Sequence, residues 1–175
     1  AFPGFRANIA SLLDLCRREG IEVIHVRGRF SADKSDWMPI YKLGRTMPCV
    51  EGTSGINLLL EAAELAGEFV IDKQSFDGFL MDELDPHLQH FNKRFLLTAG
   101  LVTSICVLLT TLSAMQRGYL SCIVEDCCAD EPAAHAHTLD RYGFMFERTT
   151  VTQLAEQQSR WQKMIDQLED QEFLN

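Results

Sequence analysis

Cys106 follows an apolar strand pattern, Phe95 to Ala99, and the glycine Gly100, and it falls where a helix begins. A thiol at such a helix start lies near unpaired backbone N–H groups and the positive end of the helix dipole. Both favour the thiolate, which is the nucleophilic form. A nucleophile there calls for a cation, a base and oxyanion donors nearby. Lys73 stands at the end of a second short strand pattern, Phe69 to Ile71, and is the candidate cation. Glu125 and Asp126 follow a third, Tyr119 to Val124. A carboxylate before a helix is as readily a cap or turn residue as a catalytic one. The histidines are His25, His87, His90, His135 and His137. His87 and His90 share a predicted helix, and His135 and His137 fall on different faces. No catalytic metal and no cofactor are expected.

Helices and strands alternate along the chain. Ile9, Leu12, Leu13 and Cys16 form a helical stripe that ends at Gly20, and Ile21 to Val26 reads as a buried strand. Residues 27–55 are polar and rich in Gly, Pro and Ser, and an excursion of that length inside a domain is usually functional. A short helix is expected over Ile56–Leu65 and another over Leu80–Phe91. After strand Phe95–Ala99 come a helix Ser104–Arg117 stopped by Gly118, strand Tyr119–Val124, a helix from Pro132 to Tyr142 and a short strand Gly143–Phe146. Residues 152–170 read as an amphipathic helix with Leu154, Trp161, Ile165 and Leu168 on one face, packed on the domain or at a subunit contact. The pattern predicts an α/β fold with a doubly wound parallel sheet flanked by helices, three layers deep. Ligands bind at the carboxyl ends of such strands, where Lys73, Gly100–Cys106 and Glu125–Asp126 could line one crevice.

Composition narrows the partners. A net charge of −9 and a pI near 5.0 argue against a phosphate-binding face, so nucleic acid is not expected. No apolar run reaches the ~18–20 residues that span a bilayer, and no secretory signal opens the chain, so neither membrane nor export is expected. The six cysteines form no C-x-x-C pair and sit in helix and strand patterns, which suits a reduced, cytoplasmic protein.

The run LLTAGLVTSICVLLTTLSAMQRGY, Leu96 to Tyr119, followed by IVEDCCAD, resembles the core signature of the isochorismatase-like cysteine hydrolases. VIDKQSFDGF, Val70 to Phe79, resembles the family's lysine block; GIEVIHVR matches its second strand; His135 with Thr138 and Leu139 matches the helix after the last motif. The resemblance covers roughly residues 5–150. It implies a six-stranded parallel sheet and an Asp–Lys–Cys triad that opens a small amide or enol-ether substrate, with Cys106 as nucleophile and Lys73 as its partner. The backbone N–H groups of Val102 and Cys106 would form the oxyanion hole, beside a cis peptide joining Leu101 and Val102. Trp37, Phe76 and Thr103 are the expected substrate contacts, with Tyr41 a further lining candidate. The family's aspartate ends a first, central strand. The present residues contain neither, so an N-terminally incomplete hydrolase domain over residues 1–150 is expected, with the helix of residues 151–175 appended. A homo-oligomer, dimer or tetramer, is the expected assembly. The alternatives are a catalytically silent relative acting in binding or assembly, and a redox-sensing thiol protein for which no resolving cysteine lies near Cys106 in sequence.

Overall fold

A computed structural model describes residues 2–173. Helix α1, Phe5–Arg18, buries Ile9, Leu12 and Cys16 at the spacing of one helical face. Its end is closed by the Ile21 N–H donating to the Cys16 carbonyl, so residues 21–23 serve as a connection and strand β1 begins only at Ile24, running to Gly28. The excursion that follows holds a single short helix, α2 (Pro39–Lys42). The helix expected over Ile56–Leu65 is replaced by two isolated 3₁₀ turns, Ser54–Ile56 and Leu60–Ala62, separated by extended residues. Strand β2 is Phe69–Lys73. The next expected helix divides in two. Asp77 accepts from the Phe79 N–H and starts a 3₁₀ turn, Gly78–Leu80, and α3 proper is Leu84–His90.

Strand β3, Phe95–Leu101, and strand β4, Leu120–Ala129, both run past the apolar patterns that marked them. They pair in parallel from Phe95↔Leu120 to Thr98↔Ile123, slip at an irregularity, and resume at Gly100↔Cys128 and Leu101↔Ala129. Glu125 and Asp126 therefore lie inside β4 rather than beyond it, and the residue at the strand's end is Asp130. Between β3 and β4 lie a π-helical turn, Thr103–Val107, and helix α4, Leu108–Gln116. Helix α5 is Pro132–Tyr142. The last strand, β5, is Glu147–Thr149, later than expected, because the register that β4 offers pairs Cys122–Val124 with Glu147–Thr149. Phe146, from the expected strand, is buried beside Leu139 and Ile123 instead. Helix α6, Val151–Phe173, closes the chain.

The fold is α/β, with parallel strands and helices on both faces. The strands form two ladders, β1–β2 and β3–β4–β5, in place of one continuous sheet. Side chains join them. Ile71 of β2, Ile24 of β1 and Leu96 of β3 share one apolar cluster with Phe79, Leu84, Leu88, Ala114 and Tyr119. On the opposite face α1 and α6 bury Ile9, Leu12, Cys16, Leu154 and Trp161 against Cys122, Val124 and Cys127 of β4. Gly78 is a close point of this packing. A β-carbon there would stand 3.2 Å from Val26 and 3.3 Å from both Leu84 and Thr110.

Charge pairs tie the β1–β2 end to α1. The Glu68 carboxylate, 13% exposed, accepts a bidentate pair from Arg17 (2.7 and 2.9 Å), a bond from the Leu65 N–H (2.8 Å), and lies 2.7 Å from His25 Nε2. The Arg17 guanidinium holds the Glu68 carboxyl at about 2, against the opposing pull of burial. A carboxyl lowered on folding stabilises the native state fully above its unfolded value, and that contribution is lost as pH falls toward 2. Glu68→Gln is expected to lower stability near neutral pH by about 1.5–3 kcal/mol. It should also flatten the acid limb between roughly pH 4.5 and 2, both read from urea melts across pH.

Candidate active site

Lys73 is the last residue of β2 and is 4% exposed. Burying an ammonium costs several kcal/mol unless it is partnered. Its Nζ donates to the Ser75 carbonyl at 2.6 Å and to Cys106 Sγ at 3.5 Å. The first partner is local. The second comes from the other ladder, so the lysine of one sheet meets the thiol that follows a strand of the other.

Cys106 sits within the π-helical turn that joins β3 to α4. The approach is unusual backbone. Gly100 has φ +127°, a conformation closed to most side chains, and the Leu101–Val102 peptide is cis. The Val102 carbonyl then accepts from both Ile105 (3.2 Å) and Val107 (3.3 Å), which winds the turn. Two contacts brace it from the far side of β4. Asp130 accepts from the Ser104 N–H (2.8 Å) and hydroxyl (2.6 Å), and His135 Nδ1 lies 2.8 Å from the Thr103 hydroxyl. Burial opposes ionisation of Asp130, but the two bonds from Ser104 hold its carboxyl below the usual range.

Of the expected lining residues, Thr103 is fully buried, its hydroxyl engaged by His135, so that its side chain supports the turn. Phe76 packs edge-on against Tyr41 of α2, 5.9 Å between ring centres, at the base of the loop that leaves Lys73. Trp37 makes local contacts within the excursion. Its Nε1 donates to the Ser31 carbonyl at 2.8 Å, and Lys34 lies 5.2 Å over its ring. Asp126 accepts from the Val151 N–H at 3.0 Å and so caps α6. Among the described residues no cluster of three or more His, Cys, Asp or Glu could hold a metal ion. An open cleft of about 340 Å³ beside His135, lined also by Phe2, Asp126 and Arg148, contains neither Cys106 nor Lys73.

Two residues of this site escape sequence reasoning. Asp130 is concealed because the apolar run of β4 stops short of the strand's end. The sole hint is its position two before Pro132, the start of a helix. Cys49 has no local signature at all, and only folding brings it to Gly28 and the Lys73 end of β2.

A buried lysine on a thiol, at the carboxyl ends of parallel strands, defines a class of α/β protein with a candidate thiol-based site. The isochorismatase domain model matches residues 1–157, and the chain belongs to the isochorismatase family. It is 31% identical over 135 residues to a maleamate amidohydrolase of Pseudomonas putida. That alignment takes in 73% of this chain but 62% of the relative, so the chain spans less than two thirds of that protein. It is 27% identical over 147 residues to an uncharacterised isochorismatase family protein of Bacillus subtilis, covering 79% of this chain and 73% of that one. The crystal structure of an isochorismatase family protein from Desulfovibrio vulgaris superposes with a TM-score of 0.80 at 28% identity, covering 88% of this chain and 84% of the other.

The thiols separate by environment. Burial pushes Cys122 and Cys128 up to about 12, and raises Cys127 and Cys16 as well. Iodoacetamide at neutral pH should label Cys106 before any of these four, as read by peptide mapping. Asp130→Ala, which removes the acceptor of both Ser104 bonds, should lower stability by about 0.5–2 kcal/mol, read from urea melts. Because the Asp130 carboxyl is depressed, the wild-type advantage should be full above its unfolded value near 3.8 and fade as pH falls through its folded one.

Proposed function

We propose that the chain carries the nucleophile of a cysteine amidohydrolase, with Cys106 in that role and Lys73 as its charge partner. The observation that carries this reading is the 3.5 Å contact between the Lys73 ammonium and Cys106 Sγ, with the lysine otherwise sealed from water. The relationship to a maleamate amidohydrolase supports a small amide, and a monoamide of a short dicarboxylic acid is the first substrate to try.

In this reaction the Cys106 sulfur attacks the amide carbonyl and the carbonyl π electrons move onto oxygen. The Val102 and Cys106 N–H groups are the assigned donors to that oxyanion; losing one such donor typically costs ~10²–10³-fold in rate. Collapse expels ammonia, which leaves with a proton, and a thioester remains. Water then adds, the acid departs, and the thiol is restored. Lys73 holds negative charge on sulfur in the resting state and again as the sulfur leaves. In the family's triad the proton of the thiol is assigned to an aspartate, the third member. Of the expected lining residues, Phe76, at the base of the loop that leaves Lys73, keeps its assignment as a substrate contact, whereas buried Thr103 holds the turn and Trp37 its own loop; a homo-oligomer is the assigned assembly.

Cys106→Ala should reduce hydrolysis of the cognate amide by at least ~10³-fold and remove the fast-labelling thiol. Retained turnover would rule out covalent catalysis by Cys106. Lys73→Met should slow alkylation of Cys106 in the folded protein, followed by stopped-time mass spectrometry. An unchanged rate would remove Lys73 from the mechanism.

A further inference from the structure

Folding brings a second thiol to the site. Gly28 ends β1, Lys73 ends β2, and the two are register partners. Register partners in a parallel pair project to the same face of the sheet. A β-carbon on Gly28 would stand 3.4 Å from Cys49 Sγ and 3.5 Å from Cys49 Cβ. The Cys49 side chain thus occupies the space above Gly28, on the face to which Lys73 projects, and Lys73 itself reaches Cys106 Sγ.

The backbone holds Cys49 there. Its carbonyl accepts from the Phe30 N–H at 2.9 Å, and Phe30 and Val50 form a parallel bridge. Cys49 also has φ +57°, a left-handed conformation that a residue with a β-carbon seldom adopts, and such outliers gather at functional sites. Burial pushes the Cys49 thiol up, the charge on Cys106 pushes it further, and Lys73 draws it down, so the three groups lie within electrostatic reach. Cys49 is only partly buried, and residues 42–46 and 51–55 on either side of it are exposed, which leaves its loop room to adjust.

We propose that Cys49 is the resolving thiol of Cys106, and that hydroperoxides switch the site off through a reversible Cys49–Cys106 disulfide. In the first step the Cys106 thiolate attacks the distal oxygen of a hydroperoxide. An S–O bond forms, the O–O bond breaks, and the alcohol (water, for hydrogen peroxide) leaves after taking up a proton. Cys106 is then a sulfenic acid. In the second step the Cys49 sulfur attacks the Cys106 sulfur. An S–S bond forms, the S–O bond breaks, and hydroxide departs with the Cys49 proton as water. The two sulfurs together lose two electrons and the peroxide gains them. A dithiol reductant reverses the state. The regulatory consequence rests on the reading of Cys106 as nucleophile in the proposed function; the thiol chemistry requires only the two sulfurs.

Trypsin isolates the two thiols, each as the single cysteine of its peptide, 46–73 for Cys49 and 95–117 for Cys106. After hydrogen peroxide and blocking of remaining thiols, a non-reducing digest of the whole protein should contain these peptides joined, lighter than their sum by two hydrogens. Dithiothreitol should separate them and restore amide hydrolysis. In Cys49→Ser, and independently in Cys49→Ala, Cys106 should instead gain one oxygen and then two, assigned to Cys106 rather than Met115 by fragmentation of peptide 95–117, with a loss of hydrolysis that dithiothreitol does not reverse. The proposal is overturned if wild-type Cys106, located within peptide 95–117 by fragmentation, gains oxygen without cross-linking, at the rate of the Cys49 variants. It is equally overturned if Cys106 joins peptide 118–141, which holds Cys122, Cys127 and Cys128. The joined peptides are read by mass, whether or not the protein turns over an amide. A cross-link without hydrolysis would therefore sink the proposed function alone, and hydrolysis without a cross-link would sink this inference alone.

Discussion

A buried ammonium must find its partners inside the protein, and Lys73 finds one of its two across the junction between two sheets. That contact can exist only if the ends of β2 and β3 are held in fixed relation. No ladder of backbone bonds among the described residues does this. The work falls to side chains, above all the cluster in which Ile24, Ile71 and Leu96 share Phe79, Leu84 and Tyr119. Dispersion and apolar burial are non-directional, but a close-packed interface admits few arrangements. Gly78, with neighbours crowding the place of its missing β-carbon, is where that closeness is most plainly needed.

The thiol's side of the contact is built differently. The β3–β4 ladder slips before Gly100, the chain passes through a backbone conformation suited to glycine, and the turn that carries Cys106 winds around the Val102 carbonyl. Its far end is anchored by Val107, buried with Ile123 and Leu139, while Ile105 beside Cys106 is exposed. Asp130 and His135, from the end of β4 and from α5, supply directional bonds to Ser104 and Thr103. One half of the site is thus positioned by packing, and the other by packing at Val107 together with hydrogen bonds to groups brought from beyond the strand ends.

The thiols also sort by place. Those of β4 are sealed in the core, where loss of hydration keeps them protonated, and they serve as small apolar side chains. Cys106 and Cys49 lie at the edge of the two ladders, partly exposed and near a cation. Solvent access and charge, more than the number of cysteines, set the candidate reactive sulfurs apart from the buried ones.

Local pattern carried much of the architecture. The stripe of α1, the Pro132–Tyr142 helix and the alternation of strands with helices were legible because apolar period and capping residues are local properties. Cys106 and Lys73 were legible as a pair through the motifs around them, and the cis Leu101–Val102 peptide through the same resemblance. Strand ends were not. β4 outruns its apolar pattern because its register with β3 resumes after the slip, and β5 falls where β4 offers partners rather than where its own residues are most apolar. The segment 56–65 has helical composition but forms only single turns, with Ala62 against α1 and Leu58, Leu60 and Leu65 exposed. The sequence by itself determined the fold class, the nucleophile candidate and its cation. Tertiary structure alone decided that Asp130 and His135 brace the turn and that Cys49 shares the site. Those contacts join residues far apart in the chain, through register and packing that no local run of residues encodes.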